Sequence, residues 1–589
     1  MALPLQRSLR IGSLLFSALL LTIASVVAAQ ESPPSENCRS EGSLSEVATG
    51  DEPAVEFVTD RMSDLATEGE GDASGCSACC RARAPGAPAT PRKTCCCGHE
   101  VNWARVPATI RAIPRPGNFG IPPSGPGYFS FWDRVRCDCR EKPPKSGYPS
   151  FALMPPSFFD ADFRYVETLA PEDRTLVEEL KRIPLGDCLM FSTGGQFWMR
   201  FMNENNARLT EAHNDYTLAR VRTFGDLNYG EALRVYGEFI WADAFSEDLP
   251  AAAIDANRGD VLNLFADLRL FEIADHPVYV RGGRQELLFG SQRLVAPLDW
   301  ANVRRTFQGV KVFRQGEKWD FDAFWTQPVP ANPDDFDSPD ENANFAGSWL
   351  TYRPEKGRFL DLYYLYFGNT NDVVQQGIVR YPADIHTLGT RWTGDKDGWL
   401  WDTELMLQMG QQQEQDLLAG AATAGLGRNW KDARWLPTAW VYYDYASGDG
   451  DPNDGHFHTF NQLHPFGHYY LGWIDLVGRQ NIHDLNAHFY VYPTPWITAF
   501  VQYHHFWLNQ STDALYGVAG NAYRRDPTGA AGTNVGDEID FVANFHLARY
   551  TDLLAGYSKL FGGSFLERTA GPNRAADAEF FHMTFSQRW

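Results

Sequence analysis

Beyond Val27 this 589-residue chain has no run approaching the roughly 18 to 20 consecutive apolar residues of a transmembrane helix. That excludes a bundle of membrane helices. There is no cysteine after Cys188, so disulfides cannot staple the long C-terminal part. No Gly-x-Ser-x-Gly elbow, His-Glu-x-x-His pair or phosphate loop occurs, and no catalytic set emerges. Asp299 and Glu286 can be posed as a carboxylate pair, but two acids without a motif around them make no catalytic set. Positive charge is scarce: 52 Lys and Arg face 74 Asp and Glu, a formal net charge of -22. Nucleic acid is therefore not an expected partner. Net charge describes solubility, however, and leaves room for a cationic interior.

What is present is alternation. In Tyr279-Val-Arg-Gly-Gly-Arg-Gln-Glu-Leu-Leu-Phe-Gly-Ser-Gln-Arg-Leu-Val295 the pattern is strand-like, with Val278 and Val280 on one parity and Tyr279 and Arg281 on the other. Side chains alternate faces along a strand, so one face is greasy and the other cationic. The same holds where Gln196, Trp198 and Arg200 alternate with Phe197, Met199 and Phe201, and around Arg220, Arg222, Arg234 and Arg269. Over roughly 400 residues no helical core covers the greasy face, and a bilayer is the better solvent for it. The expected fold is all-β: a transmembrane antiparallel β-barrel of about 18 strands, an even number as in bacterial barrels. Candidate strands include Trp319 to Trp325, Phe359 to Phe367, Trp401 to Met409, Trp440 to Tyr445, Ile497 to Trp507 and Ile539 to Leu547. Aromatics, 14% of the chain, would form girdles at the two headgroup levels. Short turns such as Tyr492-Pro-Thr-Pro495 and Phe313 to Lys318 alternate with long polar loops, expected at Pro328 to Asn344, Gln411 to Lys431, Ala446 to Asn481 and Asn509 to Gly536.

The ends agree with this reading. Arg7 and Arg10 precede an apolar run from Ile11 to Val27, and Val27 and Ala29 suit a cut before Gln30. Residues 1–29 read as a secretory leader, with an uncleaved anchor as the alternative. At the other end Phe581, Met583, Phe585 and Trp589 share a parity, like the closing strand of a Gram-negative outer-membrane barrel. Residues 30–150 form a Cys-, Pro- and Gly-rich extension without periodicity. Its cysteines, Cys38, Cys76, Cys79, Cys80, Cys95, Cys96, Cys97, Cys137 and Cys139, make an even set with Cys188. In an oxidising compartment that favours disulfides; the spacings also suit zinc, or the thiols are free. Residues 151–189 read as a lead-in or plug containing a short helix, Pro171 to Arg182, with acids first and bases last. The barrel would occupy 190–589.

From about Leu185 to Trp589 the chain resembles the alginate export family of outer-membrane porins. The stretches that carry it are Arg182-Ile-Pro-Leu-Gly-Asp187, Gly283-Arg-Gln-Glu-Leu287, Asp299-Trp-Ala-Asn-Val303, Tyr443-Asp-Tyr-Ala-Ser-Gly-Asp449, Asn461-Gln-Leu-His-Pro-Phe-Gly-His468, Tyr503-His-His-Phe-Trp507 and Val535-Gly-Asp-Glu-Ile-Asp540. The Cys-rich extension has no counterpart in it. The resemblance implies a monomeric 18-stranded barrel in the cell outer membrane whose Arg-lined constriction passes a polyuronate outwards. Outer-membrane lipid and periplasmic export proteins would be its partners.

Physics fits that implication. Fixed cations lower the barrier that a low-dielectric wall sets against a polyanion, and Arg offers a carboxylate a two-pronged donor. Arg200, Arg220, Arg222, Arg234, Arg269, Arg281, Arg284, Arg293, Arg304 and Arg305 are the candidates. Alternatively each braces the barrel by pairing with Glu204, Asp226, Glu238, Asp267 or Glu286. An uptake porin for small anions or sugars is the competing function. No cofactor is expected. One exception is a calcium site at Asp449, Asp451, Asn453 and Asp454, whose oxygens sit on a flexible turn; the bland reading is a solvated acidic turn. Histidines crowded between His456 and His505 read as interfacial or hydrogen-bonded.

Overall fold

A computed structural model describes residues 95–96, 99–100, 102–109, 130–136 and 157–589, except positions 356, 372, 376, 377, 381, 413, 469 and 495. The expected leader and most of the Cys-rich extension lie outside the described residues. No described helix is long and apolar enough to cross a membrane.

Among the described residues eighteen strands of nine residues or more close into one barrel. In order they are β1 (Leu189–Asn205), β2 (His213–Tyr229), β3 (Leu233–Phe245), β4 (Asn257–Ile273), β5 (His276–Gln285) and β6 (Thr306–Gln315). Next come β7 (Trp319–Val329), β8 (Ala343–Tyr352), β9 (Phe359–Asn369), β10 (Ala383–Lys396), β11 (Trp399–Gln412) and β12 (Gln415–Asn429). Last are β13 (Thr438–Ala446), β14 (Ile482–Thr494), β15 (Ile497–Leu508), β16 (Asn534–Ala548), β17 (Thr551–Gly562) and β18 (Ala578–Arg588). Neighbours pair antiparallel, and β18 closes on β1 with Thr584 opposite Arg200. Closure matters because an open edge in a bilayer would leave backbone donors and acceptors unsatisfied.

The alternation in sequence becomes the two faces of this wall. Phe201, Phe239, Leu264, Trp325, Leu405, Leu426, Val441, Phe541 and Met583 are exposed outward, while Trp198, Arg220, Tyr236, Arg281, Asp484 and His504 are buried inward. Exposed Trp319 and Trp399 stand at strand ends on one rim. Tyr443 and Tyr503 lie toward the other, where their hydroxyls meet His483 and Asp537, as aromatics do at headgroup level. The chain ends on Trp589, whose backbone exchanges hydrogen bonds of 3.0 and 3.1 Å with Gly195. A side chain at Gly195 would meet the Trp589 ring.

Most connections alternate in length. Turns 230–232, 274–275, 316–318, 397–398 and 549–550 mark one end, and loops 246–256, 286–305, 330–342, 447–481, 509–533 and 563–577 the other; the exceptions are the longer connection from β12 to β13 at the first end and the tight one from β11 to β12 at the second. In outer-membrane barrels the short turns face the periplasm. Three expectations change. The span from Gln411 to Lys431 is not a loop: most of it is β12, whose small residues let aromatic rings of the next strand lie over it, Tyr442 over Gly425 and Trp440 over Gly427. The strand-like stretch through Val295 stops at Gln285; the apolar residues after it turn into the lumen and pack there. Gly290, at φ +52°, permits that turn and lies against the Trp349 ring. The helix expected from Pro171 to Arg182 is broken into a 3-10 turn, Pro171–Asp173, and one α-turn, Leu176–Glu179, capped by Thr175 and Glu178.

Candidate substrate pathway through the barrel

Two loops fold inward and join. In loop 286–305, Ala296 donates its N–H to the His464 carbonyl (3.0 Å), and His464 and Phe466 return N–H donors to Leu294 and Gln292 (2.9 Å each). These partners belong to loop 447–481, so the two are laced across the lumen. Tyr470 donates its hydroxyl to the Ser291 carbonyl at 2.6 Å. Trp473 reaches Gln502 on β15 through its indole N–H at 3.1 Å. Phe289 stacks between Phe324 and Trp349, 5.3 Å from each. Asn302 fixes the far end of the first loop by donating to the Ala219, Asp243 and Asp255 carbonyls.

The arginines gather mainly where loop 286–305 meets β1 and β2. Asp299 receives Arg304, Arg220 at 3.4 Å and Arg222 at 4.0 Å. Arg200, sandwiched 4.0 Å from Trp198 and 3.4 Å from Trp300, donates to the Trp300 carbonyl at 2.8 Å. Three guanidiniums thus bear on one carboxylate and a fourth on the next residue. Burial alone would raise the Asp299 pKa; Arg304, Arg220 and Arg222 outweigh it and hold the acid down at about 2. Its side chain nevertheless remains 35% exposed, while the side chains of Arg220, Arg222 and Arg304 are buried.

The remaining arginines are answered by the wall. Arg222 also pairs with Glu238 at 2.7 Å, Arg304 with Glu286, Arg234 with Asp226 through two bonds of 2.9 Å, and Arg281 with Asp267 at 2.6 and 2.8 Å. Arg293 ties its loop to Asp402 and Glu404 on β11 at 2.8 and 2.9 Å. Among the described residues Arg305 meets the Ala296 and Pro465 carbonyls and no carboxylate; burial lowers its pKa to about 10, which leaves it charged at neutral pH. Two expectations are corrected. Arg269 stands at the short-turn rim, 31% exposed and paired with Glu231 and Glu272, because its strand bulges there. Arg284 lies opposite outward-facing Leu264 and turns to Asp260 and the Val261 and Asp337 carbonyls. Glu204, offered as a partner for arginine, instead accepts from Asn214 and Tyr216.

Sequence reasoning missed Asp299 as the node of the cluster, together with Arg391 and Arg479. Arg391 binds Asp402 at 2.8 Å and Arg479 binds Asp444 at 2.6 Å. Outward Trp392 beside Arg391 was the available signal for one. For Arg479, in an irregular loop, no period existed to read.

The other expected constellations are placed as follows. The Asp449, Asp451 and Asp454 carboxylates accept backbone N–H groups of Asp451, Asn453 and His456, closing turns two residues long. Among the described residues no group of three or more His, Cys, Asp or Glu is set to hold a metal. Cys188 is disulfide-bonded. Cys38, Cys76, Cys79, Cys80, Cys97, Cys137 and Cys139 lie outside the described residues.

The short-turn mouth holds chain from before the barrel. Phe158, Phe159 and Phe163 are buried against Phe224, Tyr236 and Phe265 of β2, β3 and β4. Burying an aromatic of this size contributes about 1.5 to 3 kcal/mol. Buried Glu178 accepts from Tyr550 and from Arg549 (3.1 Å), while Lys181 donates to the Trp589 carbonyl at 3.2 Å.

The solved structures that the chain resembles include proteins of Pseudomonas aeruginosa. OccK8 (OprE) is 10% identical, with 68% of this chain and 98% of that one covered and a TM-score of 0.46. The outer membrane protein OpdK is 14% identical, with 68% and 99% covered and a TM-score of 0.43. OprD is 11% identical, with 67% and 93% covered and a TM-score of 0.44. Likenesses at this level say nothing of what the present barrel carries. No curated protein matches the chain. The family model for alginate export, however, matches residues 190–578. With that span running from β1 to the start of β18, the chain belongs to the alginate export family and is a porin-like β-barrel channel of the outer membrane.

Proposed function

We infer that this barrel passes an anionic polysaccharide of the polyuronate type outward, as a monomer supplied by periplasmic export proteins. The observation that supports the reading most directly is the Asp299 cluster. Three guanidiniums converge on Oδ1 of one part-exposed carboxylate, and a uronate carboxylate would present an oxygen to the same donors. Arg222 and Arg304 are already shared with Glu238 and Glu286, so each sugar would be held weakly. A chain can slide only over sites of that kind. Exchange of Asp299 for a passing carboxylate moves no net charge into the wall, which keeps the desolvation cost of each step small.

The test is a planar bilayer measurement on the purified full chain. A polyuronate should interrupt the current at concentrations where a neutral glucan of equal length does not, and Arg220→Gln with Arg304→Gln should weaken that block at least tenfold. Equal block by the two polymers removes this reading. A second reading, uptake of small anions or sugars, is favoured by the lacing of loops 286–305 and 447–481 across the lumen, which suits a compact solute better than a chain. Liposome swelling with a monosaccharide uronate but not with its polymer would select it.

A further inference from the structure

The short-turn mouth contains a second constellation, remote from Asp299. Phe224, Tyr236 and Phe265 project inward from three adjacent strands as a ladder. Their successive ring centroids are 5.8 and 5.2 Å apart and their planes tilted by 19° and 20°. Guanidiniums border it. Arg281 lies 3.7 Å from the Phe265 ring, Arg234 lies 5.6 Å from Tyr236, and Arg222 precedes Phe224 on the same face of β2. Aromatic faces bury the C–H faces of a sugar ring, while guanidinium edges take its carboxylate.

The ladder is covered by the chain itself. Phe159 stands edge-on to Tyr236 at 5.6 Å and to Phe265 at 5.3 Å. Phe158 packs on Phe224 at 5.6 Å with the Arg222 guanidinium 4.0 Å beyond, and Phe163 stacks on Phe224 at 6.2 Å. Arg234 gives one N–H to the Phe159 carbonyl at 2.8 Å. The covering residues thus touch aromatic faces, guanidinium planes and a guanidinium edge, the groups a uronic acid would touch. Their anchorage lies further along the chain. Glu178 is bound to Tyr550 and Arg549, Lys181 to Trp589, and Arg182 to the Trp103 carbonyl and Glu167. The segment is thus fixed at 178–182 and laid over the ladder at 157–163.

We propose that the Phe224–Tyr236–Phe265 ladder with Arg222, Arg234 and Arg281 is a binding subsite for an anionic sugar chain at the periplasmic mouth. Residues 157–163 are its resident intramolecular occupant, displaced when the polymer arrives. The inference rests on the anionic-chain reading of the pathway, and it adds a place where the chain is first bound and a device that keeps the mouth shut without it.

The experiment uses the full-length protein in planar bilayers, with Phe158→Ala and Phe159→Ala combined and heat-modifiable gel mobility as the check on folding. Potassium chloride conductance should rise severalfold. The concentration of a uronate oligomer that halves the current, added from the short-turn side, should fall about tenfold or more. Arg281→Gln in that background should return the half-blocking concentration toward the wild-type value while conductance stays high. Should the double variant fail to fold, Phe159→Leu keeps apolar bulk and must shift both readings in the same direction by less. Unchanged conductance overturns the occupant. Equal half-blocking concentrations in wild type and variant overturn the subsite while leaving the conduction reading intact. Failure of the oligomer to block either protein, with conductance raised, overturns the subsite together with the anionic-chain reading.

Discussion

The two sides of the lumen meet the same demand with different chemistry. Across β2 to β6 the inward charges are guanidiniums set against carboxylates in neighbouring register: Arg234 opposite Asp267, and Asp267 opposite Arg281. Across β13 to β17 the acids dominate. Asp444 meets Arg479 from a loop, Asp484 meets Asn486 and His504, Asp552 meets Asn544 and His546, and Glu538 accepts the Ile474 N–H. The first wall is braced by full charges belonging to the strands themselves. The second depends on hydrogen-bond donors and on an inserted loop. A polyanion would therefore meet most of the strand-borne cations on one side.

The sharpest way to break this contrast is to remove one donor side chain from each wall. Arg222→Ala leaves Glu238 buried without its guanidinium, and the expected loss is about 3 to 5 kcal/mol of stability. His504→Ala leaves Asp484 one hydrogen bond from Asn486, and about 1 to 3 kcal/mol is expected. Urea midpoints of the two variants in detergent micelles measure the difference. Equal losses would mean that the histidine wall is braced by charge as well.

Ion selectivity tests the same asymmetry by function. Arg200→Glu with Arg220→Glu reverses charge on the arginine side near Asp299 and should lower the chloride-to-potassium permeability ratio severalfold. Arg269→Glu, at the rim, should move it little. Reversal potentials under a salt gradient are the measurement. A ratio unmoved by the first pair would make those arginines braces only.

What the sequence disclosed follows from which interactions are periodic. Parity told inward Arg200, Arg222 and Arg281 from outward Phe201, Val221 and Val280, because a bilayer outside and a polar lumen inside impose period two on every strand. The closing strand and the short turns were legible for the same reason. The inward fold of 286–305 was not: Leu287, Phe289, Leu294 and Val295 look like strand residues, yet they are buried among wall rings such as Phe324 and Trp349 and residues of loop 447–481, all distant in sequence. Pairing was hidden too, since Arg304 reaches Asp299 and Glu286 only after the loop turns back. Local pattern placed the cations in the right region and could not say what each one holds.

β12 lies between the two walls and is where pattern failed outright, because its inward face at Gly425 and Gly427 has no side chains to alternate. The Tyr442 ring fills that space: a Cβ on Gly425 would fall 2.1 Å from it. Gly425→Ala should force the ring aside and cost about 1 to 3 kcal/mol, in the range of an overpacked core. Gly420→Ala, where the nearest atom is 3.5 Å away, should be close to neutral. Heat-modifiable mobility over a temperature series distinguishes the two. A neutral Gly425→Ala would mean that the ring has room to turn and that the two walls are less rigidly joined than their packing suggests.

The smallest expected effect lies at the rim of the arginine wall, the place where that wall carries an excess of acid. Loop 330–342 sets Asp337 beside Asp260, where Arg284 binds an Asp260 oxygen and the Asp337 carbonyl. Burial first, and the Asp260 charge second, raise the Asp337 pKa to about 6; hydrogen bonds from Asn332 and Asn257 and the charge of Arg284 oppose the rise. A carboxyl whose folded pKa lies above its unfolded value favours the packed loop while protonated. Its contribution is therefore complete below about pH 4 and disappears as pH rises through about 6. Protease nicking within 330–342 should be slower at pH 5 than at pH 7.5, and Asp337→Asn should hold the slow rate at both. The histidine-wall loop 509–533 supplies the contrast. Asp526 there receives the N–H groups of Thr528 and Ala531, and the Thr528 hydroxyl with those donors lowers its pKa. That turn is held by the ionised form, so it should not loosen between pH 5 and 7.5, and a pH trend shared by both loops would trace to the barrel as a whole and not to Asp337.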